Sequence, residues 1–399
     1  MNNILVLTNL YPAPDLEKEN TPVVHYFTKQ WNKMGYNVLV MHYPTNFPKL
    51  IMKIASLFKR QLSAVLPATI RTKPAKELEY EIDGVRVKRM PLLKYKMHSK
   101  FSPMRINYAM NKTQSYLEEK SFIPDIIVSH WANPTLEIAN RLKDVYHCKC
   151  AYVSHYAPES MVYRENAEKF INNMDIIGFR SEPIKKRFFE LYNYKGKTFQ
   201  CYSGIPQNLI PENIPSRSFR NIKNFVFVGT LIKRKYPAEI VPAVCASMVN
   251  NQFCIKYIGR GAEDRRINKF AKINGIIDKV HLLGYIPREE VAKVLSESDV
   301  FIMISKNEAF GLVYLEAMAQ GCLTIASKGE GFDGIIKDGY NGFLCEAGDI
   351  DDLTNTIKRI RSMSHEELLK ISRNAYLTAK SLTDENAARM YIEEICKVM

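Results

Sequence analysis

No apolar run in this 399-residue chain approaches the ~20 residues that a membrane-spanning helix needs. The opening MNNILVLTNLYP has no basic segment and no small-residue cleavage site. It therefore reads as a first strand rather than a secretory signal, and the expected location is the cytoplasm. The eight cysteines, at 148, 150, 201, 245, 254, 322, 345 and 396, are scattered through apolar segments. Cys148 and Cys150 have no second pair at zinc-binding spacing, so buried free thiols are expected instead of a disulfide framework or a metal ribbon. Internal repeats and low-complexity tracts are absent.

What is present is an ordinary globular composition, 46% hydrophobic and 25% charged, on a chain long enough for two domains. Net charge is +14 and uneven: Lys49 to Arg105 holds fourteen Lys/Arg against four Asp/Glu. Such a region implies an anionic partner, whether nucleic acid, a membrane surface or a substrate.

Short branched runs alternate with amphipathic helices. NILVLTN (3–9), NVLVMHY (37–43), DIIVSH (125–130) and CAYVSH (150–155) predict parallel strands covered on both faces. Between the first two, Thr21 as N-cap, Pro22 at N1 and Gly35 after the last turn predict a helix. His25, on that helix, is expected to be structural. The rhythm stops in GIPQNLIPENIPSRSFRN (204–221), then resumes with NFVFVGT (224–230), FCIKYIG (253–259), KVHLLG (279–284), VFIMIS (300–305) and LTIAS (323–327). The economical reading is two doubly wound α/β units, with ligand in the cleft at the carboxyl ends of both sheets. Residues 1–205 form the first unit and carry a basic amphipathic insertion at 47–105. A linker spans 206–223, the second unit spans 224–380, and a terminal helix at 381–399 packs back on the first. Within the insertion, Leu50, Ile51, Ile54, Leu57, Phe58, Leu62, Val65 and Leu66 recur at helical spacing, edged by Lys53, Lys59 and Arg60. Such a stripe suits a membrane interface or simple packing on the sheet.

In SKNEAFGLVYLEAMAQG (305–321), Glu308 and Glu316 have seven residues between them. Glu308 falls in a loop after a strand and Glu316 in the second turn of a helix that Gly321 closes. Between them lie Phe310 and the helix start at Gly311, Leu312 and Val313. Free amides and the positive dipole end there favour a phosphate, and Gly311 lets it approach the backbone. A diphosphate so held leaves one carboxylate on each side for hydroxyls, the layout of a nucleotide sugar.

EAFGLVYLEAMAQGCLTIAS resembles the E-x7-E signature of retaining family-4 glycosyltransferases with the GT-B fold, two Rossmann-like domains facing a central cleft. FVFVGTLIKRKYP, IKYIGRGAED, VHLLGYIPREEVAKVLSESDVFIMIS and GFDGIIKDGYNGFLCEAGDIDDL resemble further segments of that family in the same order. The amino half resembles it more loosely, through PDIIVSHWANP, CAYVSHYAPE and DIIGFRSE. The resemblance implies a sugar contact for Glu308 and a ribose contact for Glu316. It implies phosphate contacts for Gly229, Thr230, Arg234 and Lys235, and mainly backbone contacts to the base near Tyr285 and Ile286. Three departures stand out. Thr230 occupies a position where the family has Arg, with Lys233 or Arg234 as substitute cations. Gly334 occupies a Glu position, with Asp333 or Glu330 as substitutes. YPAPDLEKENTPVV (11–24) has no Gly-Gly pair.

His155 ends its strand at the predicted cleft and matches the histidine that the family places beside the reacting sugar. His130, ending DIIVSH, and Asn9, after the first strand, are candidate acceptor or cleft residues. Asp349-Ile350-Asp351 has the letters of a metal motif, but it follows Gly348 and opens a helix, where acids cap amides. No metal and no cofactor are expected, and Lys235 with helix amides would offset the leaving group's charge.

The expected function is transfer of a sugar from a UDP- or GDP-sugar to a hydroxyl of a glycan or lipid-linked saccharide, with retention, in cell-surface polysaccharide synthesis. An anionic membrane surface is a candidate partner, which would make the protein peripheral on the inner face of the cell membrane. A nucleotide-sugar epimerase on the same fold is the alternative enzyme. A nucleic-acid binder is disfavoured, because the basic excess clusters in one insertion and no recognition motif appears.

Overall fold

A computed structural model describes residues 2–15, 22–57, 73–96, 99–155, 164–248 and 252–398. The amino-terminal half runs β1 (Asn3–Thr8), α1 (Val23–Lys33), β2 (Asn37–His42), β3 (Thr45–Asn46), α2 (Lys49–Leu57), β4 (Leu78–Ile82), β5 (Val85–Arg89), β6 (Leu92–Leu93) and α3 (Pro103–Glu119). It continues with β7 (Ile126–His130), α4 (Thr135–Tyr146), β8 (Lys149–Ser154), α5 (Arg164–Asn172), β9 (Ile176–Phe179), α6 (Glu182–Leu191) and β10 (Lys197–Gln200). Eight of these strands form one sheet in the order β10-β9-β8-β7-β1-β2-β5-β4. All its pairings are parallel except β4 with β5. The runs are apolar throughout because both faces are covered: Leu5, Leu7, Leu39 and Ile127 belong to one core, and Ile4, Val6, Val38 and Val128 to the other.

The carboxyl-terminal half runs β11 (Asn224–Val228), α7 (Ile240–Ser247), β12 (Cys254–Ile258), α8 (Asp264–Ile273), β13 (Val280–Gly284), α9 (Arg288–Ser296) and β14 (Val300–Ile302). Then follow α10 (Leu312–Ala319), β15 (Leu323–Ser327), β16 (Phe343–Cys345), α11 (Ile350–Ser362), α12 (His365–Ser381) and α13 (Asp384–Cys396). Its sheet has the order β13-β12-β11-β14-β15-β16, parallel throughout. The segment between the sheets is not a free linker: Ile210, Phe219 and Ile222 are buried in the carboxyl-terminal core.

In each sheet the order reverses once, between β1 and β7 and between β11 and β14. A crevice opens at such a switch point, outside the carboxyl ends of the strands. Asn9 follows β1, His130 ends β7, Gly229 follows β11 and Glu308 follows β14, so both reversals are lined by residues singled out above.

Helix α13 crosses back to the amino-terminal domain and packs on α1. Trp31 Nε1 donates to the Ala388 carbonyl at 2.9 Å, and Tyr391 meets Trp31 and Phe27 edge-on at 4.9 and 5.1 Å. The span 47–105 is not wholly an insertion. Strand β5 extends the sheet beyond β2 and turns from β4 through Asp83 and Gly84, at φ 49° and 78°, the left-handed pair of a tight hairpin. His25 is structural as expected, joining Tyr11 at 3.0 Å to Asp83 at 2.9 Å. Helix α1 starts one residue later than predicted, with Pro22 at the N-cap. Thr21, Phe58, Lys59, Arg60, Leu62, Val65 and Leu66 lie outside the described residues. All eight cysteines are free, with Cys150, Cys201, Cys322 and Cys345 buried.

Candidate active site

Lys233–Lys235 form one 3₁₀ turn after β11, and Arg234 accepts the Lys306 amide at 2.7 Å through its carbonyl. That bond ties the basic turn to the acidic loop after β14. One oxygen of Glu308 then lies 3.3 Å from Lys235 Nζ and 3.4 Å from Arg234 Nη1. Burial opposes the Glu308 charge, but the two cations outweigh it and hold the carboxyl below its usual range. Of the two substitutes considered for the cation missing at Thr230, Arg234 is in place, while Lys233 and Thr230 itself are exposed. Gly229, beside Lys235 Nζ, is held at φ 151°, a backbone that residues with side chains rarely adopt.

Gly311 is the N-cap of α10 at φ 86°, and a β-carbon on it would meet the Tyr314 ring at 2.6 Å. Only glycine fits both the left-handed backbone and the close ring. The first amides of α10, including those of Leu312 and Val313, have no intrahelical acceptor and mark a seat for an anion. Glu316 follows in the second turn. Arg288 Nε and Nη2 both donate to its Oε1, at 3.0 and 2.6 Å. Tyr285, at 83% exposure, stands out on the loop before α9, with Ile286 half-buried beside it. Phe310 was expected to contact donor, but it is 3% exposed and packs on Phe332 and beneath Arg180.

Of the two acids considered beside Gly334, Glu330 is the one bonded to the acidic loop. Glu330 is buried and accepts the Glu308 amide at 3.1 Å, with Arg187 of α6 at 3.7 Å from the same oxygen. Asp333 only closes its own turn, accepting the Gly329 amide at 2.7 Å. A β-carbon on Gly331 would fall 2.4 Å from the Glu308 carbonyl, so this segment presses directly on the acidic loop.

Across the cleft, His155 Nε2 lies 2.9 Å from His130 Nδ1, and the Trp131 ring stacks on His155 at 4.2 Å. Trp131 is held at φ 72°, a costly conformation for an aromatic residue, and this turns its indole onto the imidazole. His130 is fully buried, and His155 is 8% exposed. Burial, then the charge of Arg180, lowers His130 to about 3. Burial, His130 and Arg180 take His155 well below the ordinary histidine value. Both imidazoles are therefore held neutral, each with one N–H, and one of these protons lies in the bond between them. Asn9 donates through Nδ2 to the Asn133 carbonyl at 2.7 Å, while its Oδ1 is buried with no hydrogen-bond partner among the described residues. The Asp349 carboxylate caps α11, accepting the amides of Asp351 and Asp352 at 2.9 Å. Among the described residues no cluster of three metal-ligating side chains occurs.

Sequence reasoning missed Arg288, Glu330 as the amide holder, Arg180 and Trp131. Arg288 lay inside a quoted segment, but nothing local links it to a carboxylate that is 28 residues on.

Residues 212–378 match the family described as Glycosyl transferases group 1. An uncharacterized glycosyltransferase of Methanocaldococcus jannaschii is 28% identical over 254 residues, 64% of this chain and 62% of that protein. The lipopolysaccharide core biosynthesis glycosyltransferase LpsE of Rhizobium meliloti is 31% identical over 239 residues, 59% of this chain and 65% of that protein. The chain thus spans less than two thirds of the length of these curated relatives. Among solved structures, the lipopolysaccharide outer core galactosyltransferase WaaB in its apo form superposes with a TM-score of 0.72 at 17% identity, covering 100% of both chains. Two facing parallel-sheet domains, each with one reversal of strand order, are the fold that the GT-B glycosyltransferases share with this chain, and it is the carboxyl-terminal domain, residues 212–378, that matches the glycosyl transferases group 1 family.

Proposed function

We propose that the protein is a glycosyltransferase that moves a sugar from a UDP- or GDP-sugar to a hydroxyl of a glycan or lipid-linked saccharide. The observation that carries this reading is one constellation. Glu308 lies beneath Lys235 and Arg234, and Glu316 stands eight positions on, with the N-terminus of α10 between them. The helix amides and the two cations take the diphosphate. Glu316 takes ribose hydroxyls, and Glu308 takes hydroxyls of the transferred sugar. Asp349 is committed to capping α11 and Asp351 lies in its first turn, so the positive charge that balances the leaving group comes from Lys235, Arg234 and the amides.

In the reaction the bond from the anomeric carbon to the diphosphate oxygen breaks, and one forms to the acceptor oxygen. Retention places the acceptor on the face that the diphosphate leaves, so the acceptor proton can pass to the departing phosphate oxygen. His155, neutral, stacked on Trp131 and bonded to His130 through Nε2, has Nδ1 left to orient a sugar hydroxyl without adding charge. The relative that acts in lipopolysaccharide core biosynthesis supports a cell-surface saccharide as acceptor. Leu50 and Ile51, 69% and 41% exposed on α2 beside Lys49 and Lys53, support docking on an anionic membrane.

UDP-, GDP- and ADP-sugars are titrated against thermal stability, then again with Glu316→Ala. A bound donor raises the melting temperature by mass action, and the variant loses most of that shift. No shift of the wild-type chain with any donor sinks the reading.

A further inference from the structure

Glu316 is 15% exposed on its side chain, and its two oxygens are not equivalent. Both Arg288 donations land on Oε1, and among the described residues nothing donates to Oε2. The guanidinium spends its remaining face on the other domain, where Nη1 lies 3.3 Å from the Tyr26 hydroxyl on α1. Burial works against the Arg288 charge, but Glu316 and Tyr26 more than restore it. Arg288 is also the first residue of α9, directly after Tyr285, Ile286 and Pro287.

A glutamate in the second turn of a helix has three rotatable torsions, and each must be fixed before both hydroxyls of a diol can be received. A planar, two-pronged donor on one oxygen fixes them in advance and leaves the other oxygen free, which reduces the ordering cost of binding. The alternative is that Arg288 occupies Glu316 only in the empty state and must leave before ribose binds. The uneven load argues against this: Oε1 carries both donors while Oε2 carries none.

We propose that Arg288 is a positioning residue for the donor: it aligns Glu316 so that Oε2 receives the ribose hydroxyls, and Tyr26 of the facing domain holds Arg288 in place. The proposal rests on the donor site described above. It assigns Arg288 no contact with the sugar and no part in bond breaking. It does wire the ribose carboxylate to the interdomain contact, because one guanidinium touches both.

The test is a cycle between ligand and protein. Binding of UDP or GDP, whichever stabilises the wild type, is measured by calorimetry beside its 2′,3′-dideoxy analogue, for the wild type, Arg288→Gln and Arg288→Lys. Loss of a charge-assisted pair is expected to weaken the ribonucleotide about tenfold in Arg288→Gln. Arg288→Lys keeps the charge without the fork, and should lose less. Neither variant should change the affinity of the dideoxy analogue by more than a factor of two. Equal losses on both nucleotides would mean that Arg288 acts on the base or on folding, and would overturn the proposal. Unchanged or tighter ribonucleotide binding would overturn it as well, the latter in favour of a placeholder. If the wild type binds neither UDP nor GDP, the donor reading itself falls and takes this proposal with it.

Discussion

Two histidines at the bottom of the cleft have exchanged charge for position. His130 and His155 lie 2.9 Å apart with Trp131, Tyr391 and Arg180 around them, so neither can take a second proton cheaply. The consequence for stability has a definite sign. The folded value of His130 is lowered to about 3 from an unfolded value near 6.5, and that of His155 is lowered too. Above pH ~6.5 both states hold neutral imidazole and the full stability is present. Below it, the unfolded chain binds protons that the native pair refuses, and stability falls as pH drops toward the folded values. Thermal melts between pH 7.5 and 5 are expected to show this fall, and His130→Asn should flatten it. An equal slope in the variant would assign the acid lability to other groups. That His155 stood at a strand end was legible in the sequence. That its partner is a second histidine was not, because adjacent parallel strands β7 and β8 bring together residues 25 apart.

Helix α13 shows what an element can do after its domain is complete. Its Tyr391 is 1% exposed and touches Phe27, Trp31 and Phe199, and its hydroxyl lies 3.5 Å from His130. Tyr391→Ala is expected to cost about 3–5 kcal/mol in urea denaturation, the usual range for emptying a large aromatic site. The loss should also weaken the floor of the cleft, because His130 loses a wall. A cost below about 1 kcal/mol would mean that α13 docks without bearing load there. The packing of this helix on the first domain follows from its apolar spacing, which puts Ala387, Ala388, Tyr391, Ile392 and Ile395 into one core of that domain. The hairpin β4–β5 is the opposite case. Its strands LEYEI and VRVKR are half charged, so they read as part of a basic insertion, although Asp83-Gly84 is a hairpin signal in plain sight. An edge position explains the charges of β4, while β5 lies between β2 and β4, with Arg86 exposed and Arg89 buried against Asp15.

At the scale of the whole molecule, most of the excess of +14 falls in the stretch from Lys49 to Arg105. In that stretch and just after it, exposed Leu50, Ile51, Tyr95, Met104 and Tyr108 alternate along the chain with Lys49, Lys53, Lys96 and Arg105. No helix among the described residues is long and apolar enough to cross a membrane. Docking would therefore rest on cations plus shallow apolar insertion. The protein is expected to co-sediment with vesicles containing anionic lipid, and to dissociate as salt rises toward 0.5 M, where the screening length drops to about 4 Å. Replacing Lys49, Lys53 and Lys96 with Ala should reduce that binding severalfold. Unchanged binding would remove this stretch from the account.

The alternation of apolar runs and helices was enough, by itself, to determine two doubly wound sheets, because strands buried on both faces cannot be written any other way. Glu308 and Glu316 likewise bracket a helix start by local rules alone. Tertiary structure decided the rest. Lys235 and Arg234 reach Glu308 across roughly seventy residues, Arg288 reaches Glu316 across 28, and Arg288 reaches Tyr26 across 262. It also turned Phe310 inward and placed Glu330, not Asp333, under the acidic loop. No local pattern encodes such pairs. They arise because both sheets reverse strand order at one point, and the reversal brings loops far apart in the chain to a single cleft.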